Sequence, residues 1–327
     1  MGQQVPFIDM HCDTLMQAWF RKRGQVGHAP YAMLDVERLK QGGASAQFFA
    51  IFLQSIRGKK YLGPFFPNDD VYIQQMMKIF YRTLQQYSDT IAFAGNYKDL
   101  KRNQENGKIS AFLTIEDGRC MQGKPEQLEY YYRQGVRLLT LTWNHQNCFG
   151  YPNSAAPVMM KKGLSPFGRL AVEEMNRLGM LVDVSHLSDG GFWDVAQISR
   201  QPFVASHSNA RALCDHPRNL TDDMIRTLAE HGGVIGLNHC PYFLYHDSHE
   251  NRIEDLVTHA LHIRNTGGIE CLALGSDFDG ISGKLAMKGP QDYGKLSHAL
   301  HKAGFSDQDI DLIFEKNAER VIRDVMR

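Results

Sequence analysis

The chain has no surplus of charge, no long apolar run and no paired-cysteine motif, and each absence removes a class of function. Lysine and arginine together number 36, as do aspartate and glutamate. Neither nucleic acid nor an anionic membrane therefore has an electrostatic footprint to meet. No apolar stretch approaches the roughly 18 residues a membrane-spanning helix needs. The opening Met1-Gly2-Gln3-Gln4-Val5-Pro6-Phe7 lacks the basic patch and apolar core of a secretory leader, and Pro6 stands where a myristoylation signal needs serine or threonine. The six cysteines, Cys12, Cys120, Cys148, Cys214, Cys240 and Cys271, are scattered without a C-x-x-C pair. That pattern reads as free thiols in a reducing compartment. The expectation is a soluble cytoplasmic protein acting on a small molecule.

What is present is a regular alternation. Of 327 residues 43% are apolar, enough for a large core. Eight short runs rich in apolar and β-branched residues span Phe7 to Asp13, Ala44 to Leu53, Ile109 to Ile115, Val136 to Trp143, Leu181 to His186, Phe203 to His207, Val234 to Asn238 and Leu272 to Asp277. Helical patterns separate them, among them Asn68 to Tyr87, Ser165 to Leu178, Ser188 to Ser199, Thr221 to Glu230 and Glu250 to Asn265, and a last helix is predicted from Ser306 to Met326. Thr221-Asp222-Asp223 and Ser306-Asp307-Gln308-Asp309 have the form of helix starts. Nearly continuous apolar strands belong to parallel sheets covered by helices. Eight such units predict an α/β fold, one (β/α)8 TIM barrel over residues 1–327, with an open doubly wound sheet as the alternative.

Barrels of this kind carry their chemistry at the C-terminal ends of the strands, and those ends are rich in metal-binding side chains. His11 and Asp13 stand two apart on the first run, so both can face one cation while Cys12 faces away. Glu116 closes the third run and offers two oxygens, enough to bridge two metals. His186 and His207 end the fifth and sixth runs. Singly each residue is commonplace; on neighbouring strand ends they form a candidate metal set of His11, Asp13, Glu116, His186 and His207. Two divalent cations against Asp13 and Glu116 leave charge for a hydroxide and an anionic substrate, which predicts metal-assisted hydrolysis. Asp277 in Gly275-Ser276-Asp277-Phe278-Asp279-Gly280 is placed to shuttle protons. Arg218 can fork onto a carboxylate. The stretch from His239 through His246 and His249 competes as a ligand source, and its spacing reads as a loop after the seventh strand.

With those residues in view, the sequence resembles the renal or membrane dipeptidase family, zinc dipeptidases of the metal-dependent amidohydrolase superfamily. The resemblance runs through Asp9-Met10-His11-Cys12-Asp13, Thr114-Ile115-Glu116-Asp117-Gly118, Leu139-Thr140-Leu141-Thr142, Asp183-Val184-Ser185-His186, Ser206-His207-Ser208-Asn209-Ala210, Arg218-Asn219 and Asn317-Ala318-Glu319-Arg320-Val321. It implies that two zinc ions are held, one by His11 and Asp13, the other by His186 and His207, with Glu116 bridging. It implies a bridging hydroxide attacking free dipeptides, L,D-dipeptides among the candidates, with Asp277 serving the departing amine and Arg218 binding the terminal carboxylate. The family's substrate-binding histidine follows the Leu-Thr-Leu-Thr run, where this chain has Trp143; His145 is the candidate for its oxyanion-stabilising role. The resemblance is to a bacterial-type member, with a dipeptide as partner, no nucleic acid or membrane, and room for a homodimer. Another amide or lactone hydrolase on the same barrel, or a non-catalytic metal-binding barrel, is the alternative.

Overall fold

The computed structural model describes residues 5–21, 24–54 and 66–327. Among the described residues nine parallel strands are present: β1 (Phe7–Cys12), β2 (Ala44–Phe52), β3 (Ile91–Phe93), β4 (Ile109–Glu116), β5 (Val136–Thr140), β6 (Leu181–Asp183), β7 (Val204–Ser208), β8 (Val234–Leu237) and β9 (Leu272–Leu274). Eight of them close a ring, because β1 pairs with both β2 and β9 while β2 pairs with β4, and β4 to β9 follow in sequence. The expected (β/α)8 barrel is therefore formed. The remaining strand, β3, was not expected. It pairs with Ile109 to Ala111 of β4, ahead of the Leu113 to Glu116 stretch that β5 takes up. Three residues are too few to show a period.

The helices start where their caps stand. The side chains of Asn68, Ser165, Ser188, Thr221 and Ser306 each accept a backbone N–H in the first turn, and Ser306 with Asp309 completes a capping box. The final helix forms where expected, with a local change of winding. It runs Asp307–Asp311 and Asn317–Val325 around a π turn, Leu312–Lys316, that turns Ile313 and Phe314 into the core. No helix among the described residues is long and apolar enough to cross a membrane.

Two apolar layers hold the barrel. Inside lie Ile8, Met10, Phe48, Phe112, Leu138, Leu181, Val204 and Val234, with Phe48 and Phe112 stacked at 4.6 Å. Ala318, Val321, Ile322 and Val325 of the last helix join this layer, and because Leu181, Val204 and Val234 open their strands, the helix packs at the barrel's N-terminal end. Phe7, Phe49, Ile51, Leu113 and Ile115 pack outward under the helices. The opposite end is left to polar residues.

Candidate metal centre

Local breaks in the strands turn the polar residues inward. Between Asp9 and Cys12 the register of β1 advances three residues against two on β2, a bulge that sends Met10 to the inner layer and Cys12 to the outer. β6 ends at Asp183 and β9 at Leu274, short of the expected His186 and Asp277. Both of those residues take left-handed backbone, φ 67° and 62°, which side-chain-bearing residues rarely adopt and which marks functional sites more often than chance. His207 lies within β7.

The expected ligands converge. His11 Nε2 lies 3.5 Å from Asp13 Oδ2, 3.5 Å from Glu116 Oε2 and 3.9 Å from Asp277 Oδ1. Glu116 Oε1 lies 3.0 Å from His186 Nε2 and 3.6 Å from His207 Nε2. His11, Glu116 and His207 form one group whose ligand atoms all fall within 4.8 Å of one another, and His11, Asp13 and Asp277 form another. Asp277 thus stands within the ligand cluster. Gly280 must be glycine for space: a Cβ there would meet Asp13 Oδ2 at 2.0 Å and Asp277 Oδ1 at 2.5 Å.

The donor set fits divalent metal. Both ring nitrogens of His11 and Asp13 Oδ1 are buried without a hydrogen-bond partner, a costly condition that a cation relieves. Burial drives the pKa values of His186 and His207 well below the ordinary histidine range, helped by Arg218 and by His11. Both rings are therefore neutral. His186 spends its Nδ1 proton on Asn144 Oδ1 at 3.1 Å, leaving an Nε2 lone pair facing a carboxylate oxygen. Burial and then the neighbouring Asp13 raise the pKa of Glu116; burial also raises that of Asp277, against the pull of His11. Burial pushes the pKa of His11 down, but Glu116 and Asp13 together lift it well above its usual value.

A second layer holds the ligands in place. Ser206 Oγ donates to Asp183 Oδ2 at 2.6 Å and lies 2.7 Å from His207 Nδ1, which donates to it. That relay fixes the ring with its Nε2 lone pair toward Glu116. Asp183 also accepts the N–H groups of Ser185 and Ser206 and the Thr140 hydroxyl. Asp9 does the same between strands, accepting from Ser276 N and Oγ at 2.9 and 2.6 Å and from the Tyr293 hydroxyl at 3.1 Å. Asn238 Nδ2 donates to Asp277 Oδ2 at 2.9 Å. Asn144 and Asn238 were not foreseen as site residues. Asn144 stands one residue before His145, and Asn238 ends the seventh apolar run, so position along the strands was the signal for both. Asp279, a neighbour in the same motif, accepts from Thr14 and from Met33 N, both at 2.6 Å, and anchors the chain after β1.

A cavity of about 360 Å³ opens above the cluster, lined by Asp13, Glu116, His186 and Asp277 together with Phe52, Trp143 and others. His145 does not line this cavity, whereas Trp143 and Asn144 do, and the His145 ring stands 6.0 Å from that of Trp143. Arg218 is 4% exposed. Its Nη1 and Nη2 donate to Ser208 Oγ and the His207 carbonyl at 3.1 and 2.9 Å, while Nε has no acceptor. The guanidinium lies 5.3 Å from the centroid of the Phe243 ring, which lines the cavity. The rival histidines join neither ligand group. His239 is buried against Phe278 and Tyr293, its pKa pushed down to about 3 by burial, and His246 and His249 are exposed.

The chain matches the membrane dipeptidase family, peptidase family M19, over residues 1–327. It is 32% identical over 300 residues to dipeptidase tcpJ of Claviceps purpurea, covering 89% of this chain and 69% of that one. With the uncharacterized dipeptidase C965.12 of Schizosaccharomyces pombe it shares 31% over 336 residues, covering 98% and 80%. Among solved structures it is similar to the metallopeptidase dipeptidase AC of family M19, with a TM-score of 0.89, 25% identity and 99% of each chain covered. It is similar also to a metallopeptidase from Rhodobacter sphaeroides bound to a phosphinate mimic of L-Ala-D-Ala, with a TM-score of 0.86, 25% identity, and 99% and 100% covered. A match along the whole chain, relatives above 30% identity over most of it and a buried cluster suited to divalent metal lead to one conclusion: the chain belongs to the membrane dipeptidase family, peptidase family M19, and is a metallodipeptidase.

Proposed function

We propose that this metallodipeptidase works with two zinc ions and cleaves the peptide bond of free dipeptides, L,D-dipeptides among them. The observation that carries the two-ion reading is the two-sided placement of Glu116, Oε2 toward His11 at 3.5 Å and Oε1 toward His186 and His207 at 3.0 and 3.6 Å. His11 and Asp13 would hold one ion, His186 and His207 the other, and Glu116 would bridge them. Imidazole with carboxylate suits zinc better than calcium or magnesium. When bound, the ions supply Lewis acidity, polarising the scissile carbonyl and bringing the pKa of a water toward about 7. The chain's own groups do the rest. Arg218, with its unpartnered Nε, would meet the terminal carboxylate of the substrate. Asp277, held by Asn238 at Oδ2, would pass a proton to the departing amine. The L,D extension draws support from the Rhodobacter sphaeroides relative bound to an L-Ala-D-Ala mimic.

Metal analysis tests the reading. The purified wild type is expected to carry close to two ions per chain, and Glu116→Ala to lose at least one of them together with most dipeptide turnover, since a ligand set without its bridge completes neither site. A variant that kept two ions and full turnover would show that Glu116 does not bridge.

A further inference from the structure

Above the ligand cluster the cavity has two unlike sides. On one, Phe52 at the end of β2 and Trp143 just past β5 meet edge to face at 4.8 Å between ring centroids. Trp143 also lies 6.1 Å from the His186 ring, and Met16 lines the same cavity. On the other side stand Asp277 after β9, and Cys240 and Phe243 after β8, with the Arg218 guanidinium beside Phe243. Among the described residues no charged side chain lines the cavity apart from Asp13, Glu116 and Asp277, which belong to the ligand cluster.

We propose that Phe52, Trp143 and Met16 form a subsite for the side chain of the substrate's N-terminal residue, and that it selects large apolar, above all aromatic, side chains. The orientation rests on the assignment of Asp277 and Arg218 given under Proposed function. Those two groups serve the amine and carboxylate of the C-terminal residue, so that residue lies on the Phe243 side and the acyl residue on the Trp143 side. An aromatic side chain entering there covers apolar surface on both partners and can pack edge to face on the existing ring pair. A charged side chain would give up water and find on that wall only the neutral amides of Gln54 and Asn144, with no group of opposite charge beside the rings.

The test compares the metal-loaded enzyme on X-Ala dipeptides, with Ala, Leu, Phe, Asp and Lys at X, and on the matching Ala-X set. Phe-Ala is expected to exceed Ala-Ala in kcat/KM by about tenfold or more, chiefly through KM, because a filled apolar pocket is worth about 10–200-fold even for one methylene. Asp-Ala and Lys-Ala are expected to fall below Ala-Ala. Trp143→Ala should shrink the Phe-Ala advantage while the ranking within the Ala-X set is kept, and Phe52→Leu, a milder change, should reduce the advantage if the tryptophan variant does not fold. Turnover with a flat X-Ala profile, with charged residues preferred at X, or with an advantage unmoved in every variant that folds overturns the subsite and leaves the dipeptidase reading standing. Absence of turnover on every dipeptide overturns both.

Discussion

Asp277 shows how much one residue is asked to do. Its left-handed backbone at φ 62° aims Oδ1 at the His11 ring 3.9 Å away while Asn238 holds Oδ2 at 2.9 Å. Its pKa is raised, first by burial, which suits a group that must hold a proton and release it. Asp277→Asn keeps the shape and removes the titratable proton. It is expected to lower kcat by about 10²–10⁴-fold, the usual worth of general acid–base assistance, while metal stays at the Glu116, His186 and His207 end. Turnover and metal content measured on the same sample check this; turnover within about threefold of wild type, outside that range, would assign the proton to another group. His11, Asp13, Glu116, His186 and His207, with Asp277 as a proton carrier, were legible because metal-binding or acidic residue types stood at the ends of the first, third, fifth, sixth and eighth apolar runs. Asn238 was not, since an asparagine after an apolar run has many other uses.

At the scale of elements, the segments are tied by buried polar groups as much as by apolar faces. His259, on the helix Ile253–Gly267, accepts the Ala210 N–H at Nδ1, 3.1 Å, and donates from Nε2 to the Leu244 carbonyl, 3.0 Å. It thereby joins that helix to the loop after β7 and to the short helix Pro241–Leu244. Burial lowers its pKa, and protonation would set two N–H groups against each other at Nδ1. The folded value lies below the unfolded one, about 6.5, so protons are taken up on unfolding. The contribution is complete above that pH and is lost as pH falls below it, by up to about 1.4 kcal/mol per pH unit for one proton. Melting temperatures from pH 7 to 5 are expected to fall more steeply for wild type than for His259→Asn, and equal slopes would remove His259 as the cause. Helix starts were readable because a cap such as Thr221 or Ser306 is a local bond. The π turn at Leu312–Lys316 was not, because it answers to where Ile313 and Phe314 must pack.

The whole molecule gathers three buried carboxylates, Asp13, Glu116 and Asp277, at one end of a barrel whose other end is filled by the last helix. Desolvated like charges oppose folding unless a cation joins them. Removal of metal by a chelator is therefore expected to lower Tm, and readdition of zinc to restore it. Each ion present at a hundredfold excess over its Kd contributes about 2.7 kcal/mol, or several degrees for a chain of this size. A melting curve unchanged by chelation, with metal loss verified, would separate the cluster from the stability of the fold.

The amino-acid sequence by itself determined the alternation of strand and helix, the eight ring strands, the helix caps and the residue types at the strand ends. All of these are local consequences of hydrophobic period and short-range hydrogen bonding. Only the tertiary structure decided the rest. The ring closes through β1 with β9 and β2 with β4, pairings between distant segments that no local pattern encodes. The bulge in β1 and the left-handed turns at His186 and Asp277 depend on neighbouring strands to hold them. Trp143 lines the cavity and His145 does not, although they stand two apart, because past Thr140 the chain has left β5 and its path is set by the surrounding barrel rather than by a strand's period of two.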